Sequence, residues 1–201
     1  MENELLSLPG YTECEFLLVL QPHEELWNMI VEEKNYFKQQ YQCDTTFGKP
    51  HITLVKFQQY EMMQPRIVQH LYSIALGLPA IKVELKNYGS FPSHTIYINI
   101  TSKVQIVDTV KSIRAAQKLM KLDKDHKPHF ITEPHLTIAR KLQPWQYEKS
   151  WQEYEHKHFH GRFIADYMLL LKRRTGEKGY KAVERFDFKD LNTKAVQKGL
   201  F

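Results

Sequence analysis

Cysteine is scarce in this chain: two in 201 residues, Cys14 and Cys43, neither in a C-x-x-C pair. That excludes a disulfide scaffold and leaves both as reduced, structural thiols. Long apolar runs are missing too. Stretches such as Tyr167 to Leu171 are only a few residues long, far short of the ~18 to 20 that a membrane helix needs, so a soluble protein with no membrane partner is expected. Glu2, Glu4 and Glu13 stand where an export signal would carry Lys or Arg and then an apolar run, which makes the cytoplasm the expected compartment. No Walker loop, G-x-G-x-x-G or nucleophile elbow occurs, so nucleotide-driven phosphoryl transfer and serine-hydrolase chemistry are set aside.

What the chain does have is an ordinary globular composition. Hydrophobic residues make up 42% and aromatics 12%, enough for one domain over residues 1–201 with its own core. The 28 Lys and Arg against 23 Asp and Glu leave a net charge of +5, a mild invitation to phosphate-bearing partners through long-range attraction.

The hydrophobic pattern alternates between strand and helix periods. Glu15 to Leu20, His51 to Phe57 and Ile81 to Leu85 read as strands, separated by amphipathic helices over His23 to Tyr41 and Pro65 to Leu76. The order then repeats. Thr95 to Ile100 and His135 to Ala139 are strands around a helix from Ser102 to Met120, followed by a helix over Pro144 to Lys157 and strands over Phe163 to Leu171 and Ala182 to Phe188. Pseudo-repeats over roughly 15–88 and 93–188 imply an α+β fold: two pseudo-symmetric lobes, each a mainly antiparallel sheet with helices outside, flanking a central groove.

The two copies carry the same short motif. Pro50-His51-Ile52-Thr53-Leu54 and Pro134-His135-Leu136-Thr137-Ile138 are both Pro-His-apolar-Thr-apolar, 84 residues apart (135 less 51). On a strand, residues two apart share a face, so His51 projects with Thr53 and His135 with Thr137, while the intervening apolar residues enter a core. By the same alternation Val55 and Ala139 continue the polar face, and Lys56 and Arg140 turn away unless the strand bulges. Cleaving a phosphodiester needs one group to accept a proton and another to donate one near neutrality, and two imidazoles supply both. Thr hydroxyls are short neutral donors suited to non-bridging phosphate oxygens. A single such motif is ordinarily a surface histidine; two at equivalent places make His51, Thr53, His135 and Thr137 the candidate catalytic set. The scheme asks for no metal and no cofactor.

Candidate substrate-binding residues are Arg140, as a phosphate contact, and Phe91, Tyr97 and Tyr180, as surfaces on which a base could stack. His156, His158 and His160 alternate, but without Cys or carboxylate partners at ligand spacing they read as a solvated turn rather than zinc ligands. Lys172-Arg173-Arg174 with Thr175 to Gly179 reads as a basic hairpin turn, either a contact for a polyphosphate or a solvated one.

The paired H-x-T-x strands resemble the two-histidine phosphoesterase superfamily, which includes RNA 2',3'-cyclic phosphodiesterases of the bacterial 2'-5' RNA ligase type. The likeness runs from about Glu15 to Phe188. His135 to Arg140 (HLTIAR) is similar to the second motif of the bacterial branch, and Phe91-Pro92 to the entry of its central strand. Two positions depart: His94 stands where those RNA enzymes tend to carry Arg, and Lys172-Arg173-Arg174 where they tend to carry a small polar residue. The resemblance implies opening of 2',3'-cyclic phosphates or cleavage of 2'-5' linkages on RNA ends or small nucleotides, by a monomer that reads no DNA sequence. It further implies His135 as base and His51 as acid. The alternative is a nucleotide- or RNA-binding module of the same fold with little or no turnover.

Overall fold

The computed structural model describes residues 10–43 and 48–191; Glu2 and Glu4 fall outside them. Among the described residues are nine strands: β1 (Glu13–Leu20), β2 (Ile52–Tyr60), β3 (Ile81–Phe91), β4 (Thr95–Ile100), β5 (His129–Phe130), β6 (His135–Arg140), β7 (His160–Ala165), β8 (Tyr167–Arg174) and β9 (Lys181–Asp187). Four helices join them: α1 (Glu24–Gln40), α2 (Gln64–Leu76), α3 (Lys103–Ile113), continued by short helical turns to Met120, and α4 (Pro144–Tyr154). The class is α+β with an antiparallel sheet, as the alternating periods imply.

The strands form one curled sheet in the order β7-β3-β4-β6-β2-β1-β8-β9, with β5 against β2. Its midline is the junction of the two motif strands, where Ile52 pairs with Leu136 in antiparallel register. Each half of the sheet mixes both sequence copies. β3 leaves the first copy to pair with β4 and β7, and the β8–β9 pair leaves the second, β8 joining β1. The sequence reads Phe163 to Leu171 as one strand, but the chain changes halves at Asp166, between β7 and β8. Helix α2 contacts β9 and α3 contacts β2 and β3, while α1 contacts β6 and β7 and α4 contacts β3 and β4. One face of the sheet is thereby covered, and Phe16, Leu18, Leu20, Ile52, Leu54, Ile96, Ile98, Leu136 and Ile138 are fully buried. At ~25 cal/mol per Å² this apolar burial is the main source of stability.

Local chemistry pins the helices. Proline opens α4 in a capping box made by Gln143 and Gln146. Helix α1 presents Leu26, Ile30, Lys34 and Phe37 to the interior and is tied to α4 through Tyr41 and Tyr36 donating to Glu153, and Tyr154 and Lys157 donating to Glu33. Cys14 and Cys43 are both buried. No described helix is long and apolar enough to cross a membrane.

Candidate functional site: two imidazoles on one face

Directly paired residues share a face of a sheet, so the ladder defines which residues lie on the face of the motif histidines. Val19 pairs with Thr53 and Leu17 with Lys56 in one half; Tyr97 pairs with Thr137 and Thr95 with Arg140 in the other. The correspondence is residue for residue: Leu20 with Ile52 answers to Ile98 with Leu136, and Leu18 with Val55 to Ile96 with Ala139.

Both motif strands bulge at the same place. Leu54 is skipped between Thr53 and Val55, and Ile138 between Thr137 and Ala139. An extra residue shifts the alternation by one. Val55 and Ala139 are consequently fully buried, correcting the expectation that they extend the polar face, and Lys56 and Arg140 are carried onto the face of the histidines and exposed. The signal lies in the sequence: after His-apolar-Thr comes an apolar doublet, Leu54-Val55 or Ile138-Ala139, and then a cation.

Because Ile52 pairs with Leu136, antiparallel register sets His51 level with Thr137 and His135 level with Thr53, and the two imidazoles spring from diagonal neighbours, positions roughly 7–8 Å apart in such a pair. All four motif side chains are half-buried, behind the fully covered prolines of each motif. His51 Nδ1 lies 2.6 Å from the carbonyl of Lys49, and His135 Nδ1 lies 2.8 Å from that of Glu133. A carbonyl only accepts, so Nδ1 carries the hydrogen in both rings and Nε2 is left to exchange a proton with a ligand.

The surroundings of the rings differ. Burial lowers the His51 pKa against the opposing Lys49 carbonyl bond, and the charges of Lys34, Arg140 and His135 push it the same way. Burial lowers His135 as well, while its bond to the Glu133 carbonyl and the Glu133 charge oppose and Lys103 assists. Phe91 and Tyr97 each place a ring centroid 5.0 Å from that of His135, and 4.8 Å from each other. These two aromatics, expected to meet a base, thus pack on the catalytic candidate. Gly89 makes this possible, since a Cβ there would stand 2.6 Å from the Asn99 side-chain oxygen and 2.7 Å from the Tyr97 ring. Gly89→Val should displace Tyr97 and with it His135; a kcat loss of about tenfold or more is expected from misplacing a reacting group by an ångström, and unchanged kcat would remove the aromatic packing from the account.

The other expected binders lie nearby. The Arg140 charge acts on Lys34, His51 and Tyr180. Tyr180 donates to Glu15 and stacks under the Arg173 guanidinium, 4.8 Å from its ring centroid. Sequence reasoning passed over Lys34. Its amine donates to the Gly48 carbonyl at 3.0 Å, just before the first motif, and burial, helped by Arg140, lowers its pKa to about 8. A lysine eight residues after Leu26 and four after Ile30, on the same buried stripe, is the available clue. Among the described residues no group of three or more His, Cys, Asp or Glu is arranged to hold a metal.

Comparison with known proteins bears on both fold and family. Residues 22–177 match the model of the 2'-5' RNA ligase superfamily. A phosphoesterase-named protein of Geobacillus thermodenitrificans is 28% identical over 145 residues, covering 71% of this chain and 80% of its own. Escherichia coli LigT complexed with 3'-AMP superposes with a TM-score of 0.62 at 11% identity over 88% of this chain and 98% of its own. TT0787 of Thermus thermophilus does so with a TM-score of 0.64 at 16% identity, covering 87% and 98%. At such identity the superpositions speak for the fold.

Proposed function

This chain belongs to the 2'-5' RNA ligase superfamily, within the two-histidine phosphoesterases, and from that premise we propose that it is a metal-independent phosphodiesterase that opens 2',3'-cyclic phosphates of RNA ends or small nucleotides. Phosphoesterase chemistry of the 2'-5' RNA ligase type is the coarser statement that membership supports. The finer reading is carried by one observation: two rings on one face of adjacent strands, each with Nδ1 tied to the carbonyl two residues earlier. Complexes of LigT with 3'-AMP and ATP lend the reading a nucleotide ligand.

The geometry performs the reaction as follows. Nε2 of one neutral imidazole takes a proton from water, the water oxygen bonds to phosphorus, and the bond to the 3'-oxygen breaks. Nε2–H of the other, as imidazolium, protonates that leaving oxygen, giving a 2'-phosphate. Thr53 and Thr137 donate to the non-bridging oxygens, where charge grows in the transition state, and Arg140 offsets the anion. Following the resemblance, His135 is the base and His51 the acid. A lowered pKa makes His51 a strong donor once protonated, and the phosphate anion favours that protonation. The division is checked with leaving groups: His51→Ala should recover most of its loss on a p-nitrophenyl phosphodiester, which needs no acid, and His135→Ala should not. The opposite pattern would exchange the roles.

Turnover of 2',3'-cyclic AMP to 2'-AMP by purified protein in EDTA is the expected result. Binding of 3'-AMP without turnover would instead make the domain a nucleotide-binding module.

The profile of kcat/KM against pH should be a bell, because one ring must be neutral and one protonated. Both rings have pKa values below the ordinary histidine value, so the protonated partner is already being lost as pH rises toward 7. The maximum is expected on the acid side of 6.5. A rate still climbing through pH 8 would rule out a histidine acid.

A further inference from the structure

The charged end of the groove on the β2–β1–β8 side has no role in the chemistry above. Glu15 sits at its centre. One carboxylate oxygen lies 2.5 Å from the Lys56 amine and the other 2.5 Å from Arg173 Nη2, while the Tyr180 hydroxyl donates to it as well. Burial raises the Glu15 pKa, yet its bonds to Lys56 and Tyr180 and the charges of Lys56 and Arg173 outweigh this and hold it below the usual carboxylate value. The carboxylate is thus fixed, and it fixes two cations side by side. Glu15 is 15% exposed in its side chain, whereas Lys56 is 48% and Arg173 35% exposed, so the cations turn unused donors outward.

The ladder places this cluster on the histidine face. Glu15 pairs with Arg173, and Leu17 with both Lys56 and Leu171. Val19, beside Thr53, pairs with Leu169. From the imidazoles outward this face is therefore polar at Thr53, apolar at the part-exposed Leu169 and Leu171 with Val19 and Leu17 buried beside them, and cationic at Lys56 and Arg173. Ile52, level with the histidines, pairs with Leu20, and Lys56 pairs with Leu17 three positions along β1, roughly 10 Å along a strand. That exceeds a ribose and its cyclic phosphate; a neighbouring nucleotide would cover it, sugar or base on the apolar floor and phosphate at the end.

We propose that Lys56 and Arg173, clamped by Glu15 and with Arg173 braced on Tyr180, form a second phosphate subsite that selects oligonucleotide ends over mononucleotides. The inference rests on the phosphodiesterase reading and adds the substrate class. Lys56 reaches this face only through the β2 bulge, which is why simple alternation assigns it to solvent on the other side.

The test compares kcat/KM on a ribotrinucleotide ending in a 2',3'-cyclic phosphate with that on 2',3'-cyclic AMP, for wild type, Arg173→Gln and Lys56→Gln. Wild type should prefer the trinucleotide by roughly tenfold or more through KM, the yield of one charge-assisted hydrogen bond, and each variant should lose most of that ratio. A ratio near one in wild type, or one unchanged in both folded variants, overturns the proposal; if Arg173→Gln unfolds on heating too early to assay, Lys56→Gln decides. A binding arm separates this from failure of the parent reading. For a fluorescent trinucleotide 3'-phosphate, each variant should bind more weakly and the slope of log K against log salt should drop by about 0.7 per cation removed. Should wild type turn over neither substrate, the phosphodiesterase reading falls while that arm still decides the subsite: weaker binding with the smaller slope sustains it, and unchanged binding removes it.

Discussion

His51→Ala and His135→Ala are each expected to lower kcat on a 2',3'-cyclic phosphate by about 10² to 10⁴, the usual worth of a positioned general acid or base. Both rings are half-buried and neither belongs to the buried apolar core, so the folded state should survive, with thermal unfolding close to wild type. The two losses should not multiply. In the proposed mechanism each imidazole serves the same phosphorus at the same moment, so the double variant should sit near the slower single one, as for residues that act as a unit. A single variant with full activity would remove that residue from the mechanism, and a double variant slower by the product of both losses would mean the rings act in separate steps. Thr53→Val and Thr137→Val should fall between these and wild type, since each removes one donor to the phosphate oxygens.

The second large effect is on stability. Ile52 and Leu136 form the register pair between the motif strands, and both are fully buried. Truncating either to Ala removes buried apolar volume that neighbouring strands cannot refill, at a cost of about 2–5 kcal/mol. For a protein of this length that is roughly a 5–15 °C drop in Tm. Activity should fall alongside it at temperatures well below Tm, because this pair fixes the stagger of His51 against His135. Leu78→Ala, on a nearly buried residue away from the groove, is the control: lower Tm with kcat intact. If Leu136→Ala loses stability but keeps its rate, the histidines are set by something other than the strand junction.

Much of this site was readable because its parts repeat. A histidine and a threonine two apart, led by proline, fix one face of a strand by alternation alone, and a second copy in the same place of a second β-α-β run brings the strands into relation. The bulges were harder to see. Sequence alternation is a rule of period two, and the doublets Leu54-Val55 and Ile138-Ala139 break it without the glycine that often marks a bulge. Reading those doublets as bulges would have put Lys56 and Arg140 in the groove. The exchange of strands between halves left still less trace. Phe163 to Leu171 is apolar almost throughout, so a single Asp166 does not announce that the chain pairs with β3 before it and β1 after it. Glu15 and Lys34 give no signal in the sequence for a common reason: each is a charged side chain whose meaning comes from partners distant in sequence, Lys56 and Tyr180 for Glu15 and the Gly48 carbonyl for Lys34. The packing of Phe91 and Tyr97 on the His135 ring leaves no separate trace in the sequence, since base stacking and packing on an imidazole ask for the same ring.

The account stands or falls on whether His51 and His135 meet one anion. Ring-nitrogen NMR of the histidines during titration with inorganic phosphate measures this directly. Nε2 of both rings should shift together along one isotherm, saturating at one phosphate per chain, with both pKa values rising as the anion binds and His51→Ala weakening the response of His135. Two isotherms of different affinity, or a shift confined to one ring, would show that the imidazoles serve separate surfaces and that no shared phosphorus lies between them.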